Sequence, residues 1–457
     1  MAEGRLPNFS RLHRQSDVFV TNADVKDPAQ LEPWIQWYST HTGLAYDQHG
    51  VYHLTEGARA EHEDIYRTLM RAGRKVMCFA GMNVRGFAEP GSLFVGDPWS
   101  ENGDAYPAEL ETYNSFISSN VREYSNTNKR LTAGDYAKFL SFMLSRGLRA
   151  STVARLASQL VTERTTDRRL SYRRAALLDL MQFDVFRWYY RRNKPALATF
   201  FINSTAHMQH AYWRHHDPEA FEVKPSADEM KVYGDAVRFG YESMDKLVGD
   251  FLTLAEQTGA RLVFMTALSQ QPFLKHEAKG GQKFYRLHDV ERFLRQWNIA
   301  YTEVSPTMTN QYLVQFADAQ QLQSARDQLA GFTLENGQRI IDFQDADGGL
   351  YFGCGLHDTV AGNTPILHRP SGKTVAFSEM LYVIDALKSG CHHPQGALWV
   401  AGGKGRQHAT EVSILDVYPT ILEMLGARQS AAPGRRGASL MPQLADAPPA
   451  VPVAAAA

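Results

Sequence analysis

The feature that most constrains this chain is its alternation of short apolar runs with long helical patterns. Runs rich in β-branched or aromatic residues at 17–21, 75–80, 197–203, 261–266 and 397–401 read as buried strands. Between them, residues 134–144, 173–193, 230–257 and 414–426 carry apolar side chains at three- and four-residue spacing. Asp416, with Pro419 close behind, places the start of the last helix near Ser413. Strands that alternate with helices predict an α/β protein. Its expected form is a mostly parallel central sheet with helices on both faces.

The segment 133–193 has little strand signal and reads as a helical insertion. Residues 303–345 read as a cap-like excursion, and one α/β domain is expected over 1–427. The stretch 428–457 is rich in Ala and Pro and is expected to be a flexible tail.

Charge excludes some partners. The chain has 48 basic and 49 acidic residues, so no sequence-wide field draws it to nucleic acid or to an anionic membrane surface. No window approaches the apolar length of a membrane span. Cys78, Cys354 and Cys391 are few, odd in number and far apart, which fits a reducing compartment. The N-terminus is polar and basic, without the apolar stretch of a secretory signal. A cytoplasmic location is expected.

Four segments, in order, resemble the alkaline phosphatase superfamily, particularly its type I phosphodiesterase and nucleotide pyrophosphatase branch. They are EGRLPNFSRL at 3–12, WYSTHTGLAYDQHG at 37–50, NSTAHMQHAYWRHHDP at 203–218, and HHPQGALWVAGGKG with VSILDVYPTILEMLG within 390–426. The resemblance implies phosphoester chemistry with two divalent cations, one activating a hydroxyl nucleophile and the other stabilising the leaving oxygen.

Position by position, most of that machinery is replaced. His210 matches a metal-binding His, and His393 or its neighbour His392 matches a further ligand. The Asp expected four residues before His210 is Ala206. The Asp and His of the second metal fall on Ala267 and Leu268, and the nucleophile falls on Pro33. The resemblance therefore implies at most one cation, Zn or Mn, held by His210 and His393, or none.

The family's first strand lies upstream of the 3–12 segment, near the middle of the sheet. The resemblance implies that the natural reading frame begins before Met1. Without that strand, two neighbours would be left with unpaired backbone groups and exposed apolar side chains.

Polar residues collect at the expected carboxyl ends of the strands, where open sheets bind ligands. His210 and Glu32 are the candidates for acid–base work. Gln36, Asn203, Thr205, Gln209, Ser269, Gln270, Gln271 and His392 are the candidates for substrate contact. Such groups suit hydrogen bonding to a small phosphoester or a nucleotide-sugar-like ligand. Three functions stay open: a divergent phosphodiesterase or phosphatase-like enzyme, a catalytically silent binder of a glycan or nucleotide precursor, and a metal-free transferase.

Overall fold

The computed structural model describes residues 1, 3–54, 56–98, 105–125, 131–307, 311–346, 348–384 and 387–444. The last 13 positions of the expected tail, 445–457, lie outside the described residues.

The chain divides into two compact units. The first comprises Met1–Ser115, Ala137–Phe273 and Ser389–Ala457; the second comprises Phe116–Tyr136 and Leu274–Lys388. The second unit is wider than the excursion expected at 303–345. It buries a core of its own, including Tyr285, Leu294, Tyr312, Phe332 and Phe352. Its strands are two to six residues long, and runs that short give little periodic signal.

In the first unit the strands are β1 (Ser16–Asn22), β2 (Val76–Gly81), β3 (Leu93–Gly96), β4 (Ala105–Tyr106), β5 (Leu197–Phe200), β6 (Val263–Thr266), β7 (Ser269–Pro272), β8 (Gly390–His393), β9 (Gln395–Ala401) and β10 (Val412–Ser413). They form two four-stranded sheets, β10-β1-β9-β6 and β4-β3-β2-β5, and a two-stranded ladder of β8 with β7. The first sheet is parallel at β1–β10 and antiparallel at β1–β9 and β9–β6. The second is parallel at β2–β3 and β2–β5 and antiparallel at β3–β4. The expectation of one mostly parallel sheet is thus corrected to two small mixed sheets. An apolar run announces burial and says nothing of the direction of its neighbour.

β5 and β6 each end their sheet, and among the described residues each is laddered along one edge. Their side chains are half-buried throughout, whereas every residue of β2 is buried.

The helices that carry the site are α1 (Pro7–Arg14), α2 (Pro33–Thr42), α3 (Arg174–Asn193), α4 (Ser204–His216), α5 (Ala236–Thr258) and α6 (Val417–Met424). Val248 and Leu252 of α5 pack with Phe9 and Leu12 of α1 and with Phe264 of β6. Phe251 of α5 meets Phe200 of β5 at 5.2 Å between ring centroids. One helix therefore spans both strands. The pattern over 230–257 divides into Ala227–Tyr233 and α5, interrupted at Gly234, where helix propensity is poor.

Ser413 starts the final helical segment as its sequence suggests. Its hydroxyl accepts from Leu415 N at 3.2 Å, and Asp416 returns a bond to Ser413 N at 2.9 Å. Part of the expected tail is docked. Leu440 and Leu444 pack with Leu398 and Val417, and Leu440 N donates to Thr420 Oγ1 at 2.9 Å. Among the described residues no helix is long and apolar enough to cross a membrane.

Candidate active site

Three side chains remote in sequence meet in the first unit. His210 lies in α4 and is held at both ends. Its Nδ1 donates to Gly390 O at 2.8 Å, and its backbone carbonyl accepts from Ser389 N at 2.8 Å. The Nδ1–H bond fixes the tautomer, leaving Nε2 with a lone pair. That Nε2 faces His392 Nε2 at 3.1 Å, with the rings nearly perpendicular at 86°. On the far side of His392, Nδ1 lies 3.6 Å from a Glu32 carboxylate oxygen.

Each member owes its place to local structure. Glu32 is the N-cap of α2, with Pro33 in the first turn, and its side chain makes no capping bond. The carboxylate is thereby available to His392 instead of the helix end. His392 sits on β8, opposite Gln270 of β7. Successive strand residues point to opposite faces, so only one of His392 and His393 can meet His210. It is His392. His393 turns away, and its Nδ1 accepts from Gln395 N at 3.2 Å. Of the two neighbours that sequence offered beside His210, the structure brings His392 and not His393 to it.

The pair has a simple electrostatic consequence. If both Nδ1 atoms carry hydrogens, for Gly390 O and for Glu32, two bare lone pairs face each other at 3.1 Å and repel. Either His392 is neutral with its hydrogen on Nε2 and donates to His210, or it is protonated on both nitrogens and donates to His210 with Glu32 behind it. A catalytic zinc site uses three protein ligands, and this set supplies two nitrogens. Ala206 stands where a third ligand is expected. Among the described residues no three His, Cys, Asp or Glu side chains converge to hold a metal. The donors thus fall one short of a firmly held ion.

The remaining candidates separate into two groups. Gln270 and Gln271 frame the pair: Gln270 Nε2 donates to Ala206 O at 3.1 Å and Gln271 Nε2 to His392 O at 3.3 Å. Ser269 pairs with His393 in the ladder. Asn203 is exposed just before α4. Thr205 is buried and donates to Gly240 O at 3.3 Å, and Gln209 Nε2 donates to Tyr241 OH at 2.9 Å. Both are engaged with α5. Gln36 is fully buried, its Oε1 accepting from Asp24 N at 3.1 Å. These three hold the scaffold around the pair.

Behind α2 lies a polar network that sequence reasoning missed. Ser39 Oγ donates to Asp24 Oδ2 at 3.0 Å and lies 3.0 Å from His49 Nε2, while His49 Nδ1 accepts from Val51 N at 3.0 Å. Tyr46 N also donates to Asp24. Burial pushes the Asp24 carboxyl up and the His49 imidazole down to about 4. His49 is neutral near pH 7, and Ser39 is fully buried. The serine–histidine contact therefore ties α2 to the segments just before and after it and is closed to substrate. A pattern of single residues spread over 24–49 leaves no periodic trace that would have revealed it. Cys391, beside His392, has its thiol pushed up by burial and is no thiolate nucleophile.

No protein-family model matches the chain, and no curated protein matches it. Among solved structures, it is similar to phosphonoacetate hydrolase from Sinorhizobium meliloti 1021 in complex with phosphonoformate. The identity is 13%, covering 94% of this chain and 91% of that one, with a TM-score of 0.37. Murine ectonucleotide pyrophosphatase/phosphodiesterase 5 gives 11% identity over 92% and 90%, with a TM-score of 0.33. Phosphonate monoester hydrolase of Agrobacterium radiobacter gives 12% over 96% and 72%, with a TM-score of 0.35. These superpositions are loose, and the functional reading rests on the residues.

Proposed function

We propose that this chain is a phosphoester-directed enzyme in which a histidine pair moves the proton that metal ions manage in the family it resembles. The single observation that carries this reading is the Glu32–His392–His210 array, with Nε2 atoms 3.1 Å apart and a carboxylate 3.6 Å behind. The expected substrate is a phosphorylated or nucleotide-linked small molecule. That class comes from the four ordered motifs, and Asn203, exposed just before α4, is the candidate to hydrogen-bond it.

The chemistry follows from the tautomers. His392, protonated and balanced by Glu32, gives its Nε2 proton toward the His210 side. When a phosphoryl or leaving oxygen displaces that contact, the same proton is delivered to it. Imidazolium charge also stabilises the oxygen on which negative charge develops. His210, with Nδ1 tied to Gly390 O, then offers a lone pair to an attacking water or hydroxyl. Glu32 holds the His392 ring and its charge. The side chains of Glu32 and His392 are 33% and 19% exposed, so a ligand can reach both. A bound cation, if the protein takes one, would contact His210 and His392 and supply Lewis acidity.

The test is metal analysis of the purified protein followed by turnover of an aryl phosphate and an aryl phosphodiester. The expected result is turnover that survives chelation and is lost in His210→Ala. Two equivalents of zinc or manganese per chain, with activity tracking metal content, would overturn this reading.

A second reading is favoured by the apolar residues at the ligand positions, with Ala267 almost wholly buried. It is a silent binder of a glycan or nucleotide precursor. Absence of turnover together with thermal stabilisation by a nucleotide sugar selects it.

A further inference from the structure

The second unit holds a buried guanidinium with part of its hydrogen-bonding capacity unused. Arg286 lies on the strand Phe284–Leu287, flanked by the core residues Tyr285 and Leu287, and it is 6% exposed. Its Nε and Nη2 have no hydrogen-bond partner. Those two groups lie on one edge of the planar guanidinium and form the fork that receives two oxygens of a carboxylate or phosphate at once. Among the described residues no carboxylate forms an ion pair with Arg286; the Tyr312 hydroxyl lies beside it and donates to Leu287 O at 3.4 Å.

A lone unsatisfied amide can be met by water. A buried cation is different, because leaving its charge without a counter-charge is among the costliest arrangements a protein core tolerates. A side chain kept there with its bidentate edge unspent is suited to an anion. Tyr382 on the strand Leu381–Ile384 stands directly opposite Arg286 in the ladder and is 38% exposed. Its ring packs against His288, itself exposed, with 5.2 Å between centroids. An oxyanion on the guanidinium would therefore have an aromatic surface beside it for the organic part of the molecule.

We infer that Arg286 anchors an oxyanion-binding site in the second unit, gripping the phosphate or carboxylate group of a small molecule in bidentate form with Tyr312 and Tyr382 beside it. This site shares no residue with the Glu32–His392–His210 array and does not depend on the function proposed for it.

The experiment titrates the full chain with inorganic phosphate and with acetate, reading binding by calorimetry and by the shift in melting temperature. The expected result is saturable binding of at least one of them, and which one identifies the oxyanion. Arg286→Lys keeps the charge but loses the planar fork, and should weaken binding roughly tenfold or more. Arg286→Met should abolish it, and should raise the melting temperature in the absence of either anion. His210→Ala should bind as the parent does. If Arg286→Met does not fold, Arg286→Lys decides. No saturable binding of either anion to the parent chain overturns the proposal. So does binding that Arg286→Lys leaves unchanged, or binding that is lost in His210→Ala and kept in Arg286→Lys.

Discussion

His210 and His392 face each other through Nε2 at 3.1 Å, and backbone geometry rather than chance alignment holds them there. The Gly390 carbonyl fixes one ring and Glu32 stands behind the other. Their contributions should be separable by substitution. With an aryl phosphodiester as substrate, His210→Ala should lower kcat by roughly a hundredfold or more, the usual scale of a general acid–base group. Glu32→Gln keeps the shape and removes the charge. It should cost about tenfold and leave KM nearly unchanged, because it acts through His392. Equal rates for Glu32→Gln and the parent would show that the carboxylate is a bystander.

Asp179 of α3 is the group whose titration should be visible in stability. Burial raises its carboxyl to about 7, against a lowering contribution from the Ser204 hydroxyl that donates to it. An acid raised above its unfolded value, about 4, is bound to its proton more tightly in the folded state. Its stabilising effect is complete below about pH 4 and is lost as pH rises through about 7. Denaturant unfolding should show stability falling by a few kcal/mol across that window. Asp179→Asn should flatten this part of the profile. A variant with the same slope as the parent would remove Asp179 as the cause.

Much of this architecture is legible in the residues. The runs at 17–21, 75–80 and 397–401 coincide with β1, β2 and β9, because β-branched and aromatic side chains in a short apolar stretch have few alternatives to burial in a sheet. Ser413 and Asp416 declare a helix start through capping chemistry. Glu32, His210 and His392 were also visible as polar residues at strand and helix ends. What could not be read was which neighbour turns inward. His392 and His393 are identical in type, and only the register of β8 against β7 decides between them. Sheet direction was hidden for a similar reason, since β9 runs antiparallel to β1 without any local mark. Gln36 and Thr205 are polar and look available, yet tertiary packing consumes both.

The open edges of β5 and β6 give a prediction about backbone dynamics. In a parallel or an antiparallel ladder, alternate N–H groups point to opposite sides, so a strand paired along one edge leaves about half of its amides without a ladder partner. Hydrogen exchange should label peptides spanning 197–200 and 263–266 much faster than the peptide spanning 76–81, where β2 is paired on both sides. Protection of β5 and β6 equal to that of β2 would mean that another strand occupies those edges in solution.

Gly43, inside the 37–50 segment, tests how tightly α2 is held. It closes α2 in the left-handed region at φ 67°, with its N–H donating to Ser39 O at 2.8 Å. A Cβ added there would lie 2.9 Å from the Tyr418 ring and from Arg435 Cγ. Tyr418 is fully buried, and its hydroxyl meets Thr68 Oγ1 at 2.8 Å, so it has little room to retreat. Arg435 is likewise pinned, donating to Thr42 O and Glu63 O. Gly43→Ala therefore combines backbone strain of about 1 kcal/mol with overpacking of about 1–3 kcal/mol. Because α2 also presents Glu32 at its other end, the loss should extend to function. The expected outcome is a melting temperature lowered by several degrees together with reduced turnover. The control is Gly50→Ala, which shares the positive φ of 63° but meets nothing within 4 Å. It should show the strain alone. If the two variants lose equal stability, the Tyr418–Arg435 contact contributes nothing, and Gly43 is required for its backbone conformation only.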